Sequence, residues 1–277
     1  MTKCSMLALS LGFLVLSPSN VVAQDAEAGR LALSARLASE TGYSGVFGVT
    51  RDGQTALGAL GQTATSGPHD VESPFRWASV SKMITAILAL QQVDAGTLAL
   101  DTPVATYLPD TTVPNADRIT VRQLLAHRSG LAGQADIPDG PPGDPLQYCS
   151  VATAEPGSIF FYNNCDTIVL GKVLEAVSGT SYLDLVNMKI GIPLGLALTL
   201  PDGARIEARM KDGTAESPVW PTAYGPSGGL YGTLTDLLAI DAALIEGRLI
   251  SQSALDTMLT GDPASGFAAL GVWSYAP

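Results

Sequence analysis

Apolar residues at helical spacing dominate the middle of the chain. The longest run, residues 83–90, contains neither glycine nor proline and stops before Gly96, which predicts a buried helix with Ser79 in its first turn. The spacing returns over residues 166–177, and a further helix is predicted over 182–188. The core is therefore expected to be largely helical.

Four more helices are predicted, three of them from capping signals. Residues 26–39 mix apolar and charged positions and predict an amphipathic first helix. Thr120 and Gln123 have the spacing of a capping box, which predicts a short helix ending before Gly130. Thr233 is predicted to cap a helix that ends near residue 246, and Ser251 to start the last one.

Strand patterns lie near the two ends of the chain. Residues 44–50 and 55–60 flank a turn at 52–53 and predict a hairpin, and residues 267–275 have strand composition. This order predicts an α+β fold, with an antiparallel sheet built from both termini and packed by helices. The expected sheet part covers about 26–65 and 265–277, and a mainly helical region of about 75–262 is inserted between them. Two loop-like stretches, 131–157 and 201–226, are expected inside the helical region.

The first 23 residues have the parts of a secretory signal. Lys3 precedes an apolar run over residues 6–16, and a small-residue site ends at Ala23. The run is short for a bilayer span, and no later segment reads as one. We therefore expect cleavage near Ala23, a domain comprising residues 24–277, and a periplasmic or secreted protein without a membrane span.

Charge and cysteine content narrow the function classes. The formal net charge is −11, so nucleic acid is an unsuitable partner, and the two histidines and three cysteines form no metal-binding spacing. No cofactor is predicted, and the oligomeric state is left open. After signal cleavage Cys149 and Cys165 remain, and they fit either a disulfide or two buried thiols.

Candidate chemistry centres on Ser79 and Lys82. Residues three apart on a helix share a face, so a lysine amine reaches a serine hydroxyl one turn earlier. A desolvated lysine is neutral often enough to take the serine proton and create a nucleophile. A four-residue Ser-x-x-Lys stretch also occurs by chance in most chains, so the spacing alone equally fits a helix with a polar first turn.

Separated stretches of the chain match one set of motifs in order. They are 75–82 with Ser79-x-x-Lys82, 101–109, 119–131 with His127-Arg128-Ser129-Gly130, 156–164 with Tyr162-x-Asn164, 193–196 and 228–230. Together they resemble the serine β-lactamase and penicillin-binding-protein superfamily, specifically its class C β-lactamase-related branch, over roughly residues 30–276. The resemblance implies a serine β-lactamase/transpeptidase-like fold.

The resemblance also implies roles for individual residues. Ser79 would be the acylated nucleophile and Lys82 its proton partner, Tyr162 a second general base or acid, and Asn164 a partner of the substrate amide and the lysine. From the residues alone, Tyr162 also fits an interfacial aromatic and Asn164 a helix cap. His127 is expected to be buried, hydrogen-bonded and structural.

Two further stretches change this interpretation. Residues 225–229 match Gly-x-Ser-x-Gly, but a nucleophile at Ser227 needs a later histidine in the chain and none follows, so a glycine-rich turn is expected. The superfamily's third motif, Lys-Thr-Gly or His-x-Gly, is absent, and residues 211–213 do not replace it. We therefore expect a relative that is truncated before this motif, with a degenerate relative as the alternative, and that lacks a strand N–H of the oxyanion hole.

The sequence thus supports two functions. The first is a secreted serine hydrolase that acts through an acyl-enzyme on a β-lactam, a D-Ala peptide from peptidoglycan or an ester. The second is a non-catalytic or slowly acylated penicillin-binding-like protein. With the third motif absent, we expect slow acylation of Ser79 and weak turnover.

Overall fold

The computed structural model describes residues 18–39, 43–51, 53–63, 67–134, 141–204, 214–215 and 217–275. Helices make up most of its regular structure, and two small antiparallel sheets complete it. The α+β class predicted from the sequence is confirmed.

The helices follow the chain in the predicted order. Within the described residues they are α1 (Pro18–Ser39), α2 (Ser81–Asp94), α3 (Val121–Leu125), α4 (Cys165–Ser178), α5 (Tyr182–Val186), α6 (Ile192–Leu194), α7 (Pro221–Tyr224), α8 (Leu234–Ile245) and α9 (Gln252–Leu259). A π-helical turn, Asn187–Gly191, joins α5 to α6. None of these helices combines the length and apolar character needed to cross a bilayer.

Side-chain caps start three of these helices where the sequence predicts them. Thr120 and Gln123 form a reciprocal capping box on α3, and Thr233 and Asp236 form another on α8. Ser251 accepts from a backbone N–H in the first turn of α9. Each cap satisfies N–H groups that lack an intrahelical partner, so these boundaries are fixed locally.

The front of the domain is a hairpin covered by α1. Strands β1 (Gly45–Arg51) and β2 (Gln54–Leu60) pair antiparallel as predicted. Helix α1 packs on the hairpin, and a Cβ added at Gly29 would lie 3.0 Å from Val49. The helix begins earlier than predicted and includes the expected cleavage site after Ala23, whereas residues 1–17 of the predicted signal lie outside the described residues.

The core is organised around α2. Two of its apolar side chains, Met83 and Val93, are partly buried, and those fully buried are Ile84, Ala86, Ile87, Leu88, Ala89 and Leu90. Helices α4, α5 and α9 contact α2 and bury apolar side chains in the same cluster. A helix that is apolar all round is stable only when surrounded in this way. The polar residues at its N-terminus are therefore attached to a rigid element.

A second sheet lies beside the start of α2 and was not predicted. Strands β3 (Phe75–Arg76) and β4 (Tyr231–Gly232) pair antiparallel. The Trp77 indole N–H donates to the Gly232 carbonyl at 3.1 Å, and a Cβ at position 232 would overlap the indole ring. Two-residue strands produce no detectable alternation, so only the folded chain reveals this pairing.

The predicted strand over residues 267–275 is not formed, and this segment does not extend the hairpin sheet. Phe267 and Gly271 have φ of 63° and 76°, which breaks the segment into tight turns with isolated bridges. The Gly271 N–H donates to the Leu125 carbonyl at 3.0 Å, so the segment packs on the helices instead. Strand composition indicates suitability for a sheet, but the contacts available decide the outcome.

The long excursion over 131–157 is anchored by a disulfide. Cys149 and Cys165 are joined with a Cα–Cα distance of 5.3 Å, which resolves the alternative left open by the sequence. A 3₁₀ turn, Pro145–Tyr148, precedes the first cysteine, while residues 135–140 lie outside the described residues. In the second loop-like stretch the short helix α7 is formed, and residues 211–213 also lie outside the described residues.

Candidate active site

Ser79 lies in a 3₁₀ turn, Ala78–Val80, immediately before α2 rather than within its first turn. The preceding Ala78 has a φ of 45°, a left-handed conformation that is uncommon for a residue with a Cβ. Ser79 is exposed and lines a cavity of about 200 Å³ together with Asn164 and Gly228. The turn thus presents the hydroxyl to a space suited to a small reactive group.

Lys82 is enclosed directly behind Ser79. Only 3% of its surface is exposed, and its Nζ lies 3.3 Å from Ser79 Oγ. It donates to Asn164 Oδ1 and to the Ser227 carbonyl, each at 2.8 Å. Burial lowers the pKa of Lys82 from 10.5 to about 8, and the charge of Asp166 opposes part of this lowering.

Asn164 has a different role from the helix cap that its position suggests. It precedes α4 but makes no side-chain capping bond. Its Oδ1 accepts from Lys82 at 2.8 Å, and its Nδ2 donates to Gln134 Oε1 at 3.1 Å. Because Cys165 follows it directly, the disulfide anchors the backbone at this point. Both ends of the amide are therefore held across the base of the site.

Tyr162 meets Lys82 through the face of its ring. The Nζ lies 5.0 Å from the ring centroid, which is within the range of a cation–π contact. The ring also packs on His127 at 4.6 Å and on Trp273 at 5.4 Å between centroids, and 37% of the residue is exposed. The structure therefore places the Tyr162 ring beside Lys82, and its role in proton transfer stays a prediction.

The Gly-x-Ser-x-Gly stretch contributes its backbone to the site. Ser227 is fully buried and its hydroxyl donates to the Tyr224 carbonyl at 2.7 Å, so this side chain is not presented as a nucleophile. Its carbonyl binds Lys82, and the preceding Pro226 carbonyl accepts from Thr85 at 2.8 Å. Sequence reasoning missed this contribution because a backbone carbonyl has no residue-type signature.

Gln134 is a second member of the site that the sequence did not reveal. Its Oε1 accepts from Asn164, and its Nε2 donates to the Ala223 carbonyl at 2.7 Å. It lies in the irregular loop after α3, where no periodic pattern marks functional positions. Only its contacts in the folded chain connect it to Lys82.

His127 is buried as expected, although its ring Nδ1 makes no hydrogen bond with the described residues. The atom faces Asp166 Oδ2 at 3.7 Å, and Asp166 is itself fully buried. Its neighbour Arg128 binds Asp262 and the Gly157 carbonyl, which holds the segments that carry these two residues together. No charged group in the core was predicted apart from Lys82.

Comparisons with known proteins identify the family of this chain. Residues 26–272 match the family described as Beta-lactamase, so the chain belongs to this family. It is 35% identical over 188 residues to penicillin-binding protein 4 of Amycolatopsis lactamdurans, covering 60% of this chain and 49% of the relative. It is 30% identical over 220 residues to the D-alanyl-D-alanine-carboxypeptidase/endopeptidase AmpH of Escherichia coli K12, covering 72% of this chain and 56% of that protein.

A solved structure gives the same picture of the fold. A D-stereospecific amidohydrolase from Streptomyces sp. superimposes with a TM-score of 0.70 at 27% identity, covering 92% of this chain and 82% of that one. The chain spans about half the length of the curated relatives it matches. The family and its relatives support a hydrolase of the serine type at the level of class.

Proposed function

We propose that this chain carries the site of a serine hydrolase that forms an acyl-enzyme on Ser79. The observation that carries the proposal is the set of partners around Lys82. The Asn164 and Ser227 carbonyl oxygens only accept hydrogen bonds, whereas the Ser79 hydroxyl both accepts and donates. A neutral amine has two N–H groups for the two carbonyls and one lone pair left for the Ser79 proton.

The proposed reaction proceeds in two halves. Ser79 Oγ attacks a substrate carbonyl carbon while its proton passes to Lys82, and a tetrahedral oxyanion forms. The intermediate then collapses to the acyl-enzyme, and the leaving group departs with a proton. Water attacks the serine ester in the second half and releases the acid, so each turnover consumes one water molecule.

Tyr162 is proposed as the second proton-transfer group. The centroid of its ring lies 5.0 Å from the amine that receives the Ser79 proton. We expect Tyr162→Phe to lower the acylation rate by about 10²–10⁴-fold, the usual contribution of a positioned acid or base. An unchanged rate would exclude this role.

The proposed substrates are acyl donors: a β-lactam, a D-Ala peptide derived from peptidoglycan, or an ester. The D-alanyl peptide is favoured for the first assay, because one relative is named for D-alanyl-D-alanine cleavage and a structural neighbour for D-stereospecific amide hydrolysis. Release of D-Ala from a D-Ala-D-Ala peptide, compared with hydrolysis of a cephalosporin and a nitrophenyl ester, separates the three.

The nucleophile is tested by intact-mass spectrometry after incubation with a fluorophosphonate or a penicillin. We expect one adduct on the parent chain, none on Ser79→Ala, and one on Ser253→Ala, a matched change on the exposed surface of α9. Equal labelling of the parent and Ser79→Ala would remove Ser79 from the mechanism.

A second candidate function is an acylable binding protein with little turnover, and the name of the Amycolatopsis relative supports it. The two functions differ only in the second half of the reaction. A penicillin adduct that persists for hours supports the binding protein, and one lost within minutes, with release of product, supports the hydrolase.

Export is proposed with the same function. The signal-like residues 1–23 direct secretion, and a disulfide is expected to persist in an oxidising compartment. N-terminal sequencing of the exported protein is expected to start at Gln24, and a protein that keeps Met1 would contradict the proposed cleavage.

A further inference from the structure

A buried threonine on α2 contacts the turn that holds Lys82. Thr85 lies three residues after Lys82 on the helix and is fully buried. Its hydroxyl lies 2.8 Å from the Pro226 carbonyl oxygen, and Lys82 donates to the carbonyl of the next residue, Ser227, also at 2.8 Å. Side chains from one helix therefore bind two consecutive carbonyls of the 3₁₀ turn Gly225–Ser227.

The neighbours of the Thr85 hydroxyl determine where its single proton goes. They are the Pro226 carbonyl, the Ser81 carbonyl at 3.0 Å and the Tyr182 hydroxyl at 2.8 Å. The Ser81 carbonyl is also the intrahelical acceptor of the Thr85 N–H. Tyr182 is buried, and within the described residues its hydroxyl is bonded to Thr85, so the phenol donates there and is satisfied. The Thr85 proton is then directed to Pro226, the closer of the two carbonyls.

The turn is also held at other points. A Cβ added at Gly171 on α4 would lie 2.2 Å from the Pro226 ring, so this ring packs directly against that helix. Beyond the turn, the Leu230 N–H donates to the Ser81 hydroxyl on α2 at 3.3 Å. The turn therefore lies between α2 and α4, and the bond from Thr85 orients its central peptide.

This peptide controls the acceptor of Lys82. The Pro226 and Ser227 carbonyls are separated by the φ and ψ of Ser227, so fixing one carbonyl restricts the position of the other. Pro226 is buried, and a buried carbonyl is normally hydrogen-bonded. Loss of the Thr85 hydroxyl would favour rotation of the peptide towards another donor, which would move the Ser227 carbonyl away from the amine.

We propose that Thr85 is a positioning residue for Lys82, because its hydroxyl fixes the Pro226 carbonyl and thereby the Ser227 carbonyl that holds the amine. Thr85 is not among the residues that line the cavity beside Ser79, so it acts through Lys82. The consequence for acylation rests on the function proposed above, whereas the effect on Lys82 itself does not.

The first experiment observes Lys82 without any substrate. The ¹H–¹⁵N signal of its amine is recorded by NMR at a pH where the amine is charged, and it is assigned by its loss in Lys82→Met. Thr85→Val keeps the shape of the side chain and removes the hydroxyl, so we expect the signal to shift. Thr85→Ser keeps a hydroxyl and is expected to return the signal towards its parent position. An unchanged signal in a folded Thr85→Val protein would overturn the proposal.

A matched threonine on another helix makes the result specific. Thr257 on α9 donates to the Ser253 carbonyl four residues earlier at 2.8 Å, as a local bond within one helix. Thr257→Val is therefore expected to leave the Lys82 signal in place. If Thr85→Val does not fold, Thr85→Ala, which needs less space, takes its place, and an unchanged signal there overturns the proposal.

The second experiment connects the position of Lys82 to chemistry. Labelling of Ser79 by a fluorophosphonate is measured against reagent concentration. Thr85→Val is expected to lower the maximal rate constant about tenfold, because a displaced catalytic group costs up to about 10²-fold in rate. The half-saturating concentration is expected to stay unchanged, because Thr85 does not line the cavity. Thr85→Ser is expected to recover most of the parent rate.

The outcomes separate this inference from the proposed function. Where the parent is labelled, a Thr85→Val protein that is less stable in urea but labelled at the parent rate would have lost only a structural contact, which would overturn the proposal. A shifted Lys82 signal in Thr85→Val without labelling of the parent at Ser79 would contradict the proposed function and retain the effect on Lys82. Labelling of the parent with identical Lys82 signals in the two proteins would do the reverse.

Discussion

Burial of Lys82 predicts a specific pH dependence of stability. The folded pKa lies near 8 and the unfolded value near 10.5, so the unfolded chain binds more protons between these values. The free energy of unfolding therefore rises with pH across this window. Below pH 8 the amine is charged in both states and the cost of burying the charge is fully present, whereas above pH 10.5 it is absent.

The size of the effect follows from the two pKa values. A lowering from 10.5 to about 8, at about 1.36 kcal/mol for each pH unit, corresponds to roughly 3 kcal/mol. Only part of the window is experimentally convenient. Between pH 7 and pH 9.5 the cost of burying the charged amine falls by about 2 kcal/mol.

The assay compares urea unfolding of the parent and Lys82→Met from pH 7 to pH 9.5. The substitution removes the titrating amine, so other groups cancel in the difference between the two curves. The free energy of unfolding of the parent is expected to rise by about 2 kcal/mol relative to that of Lys82→Met across this range. Lys189→Met, at an exposed position of the π-helical turn, is the matched control and is expected to follow the parent.

Parallel curves for the parent and Lys82→Met would refute the reasoning. They would mean that Lys82 has the same proton affinity in the folded and unfolded states. The amine would then be solvated in the folded protein, and its use as a neutral base near pH 8 would lose its physical basis.

Two further changes test how the site is supported. Gly171→Ala is expected to destabilise the folded protein by about 1–3 kcal/mol and to slow Ser79 labelling, because the new Cβ would overlap Pro226 beside the carbonyl that holds Lys82. Gly203→Ala is the control, because nothing lies within 4 Å of a Cβ added there. Equal urea midpoints for the two variants would contradict the prediction. The double variant Cys149→Ser and Cys165→Ser is expected to lose about 3 kcal/mol in urea unfolding, because the bridge closes a loop of 16 residues, and an unchanged midpoint would show that the loop is held without it.

Local sequence signals determined the helices that build the site. The capping boxes at Thr120 and Thr233 specify where two helices begin, because both partners lie within one turn. The spacing of Ser79 and Lys82 likewise brings a hydroxyl and an amine together across a single turn. These predictions required no knowledge of the rest of the fold.

Contacts between distant parts of the chain were decided by tertiary structure. The Ser227 carbonyl and the Gln134 amide act on Lys82 and Asn164 from other segments. No spacing rule connects them, because their proximity depends on how α4 and the turn after α7 pack against α2.

The two ends of the chain show the same difference between what local sequence predicts and what tertiary contacts decide. The hairpin over β1 and β2 was predictable because a tight turn and alternating strands are adjacent in sequence. Residues 267–275 have equally suitable composition, yet they turn back onto the helices at Phe267 and Gly271. The sequence by itself thus determined the starts of the capped helices, the hairpin and the Ser79–Lys82 pair, since each rests on bonds within a few residues. Only the tertiary structure decided the proton affinity of Lys82 and the partners that hold it, because burial and charge at that amine come from the whole fold.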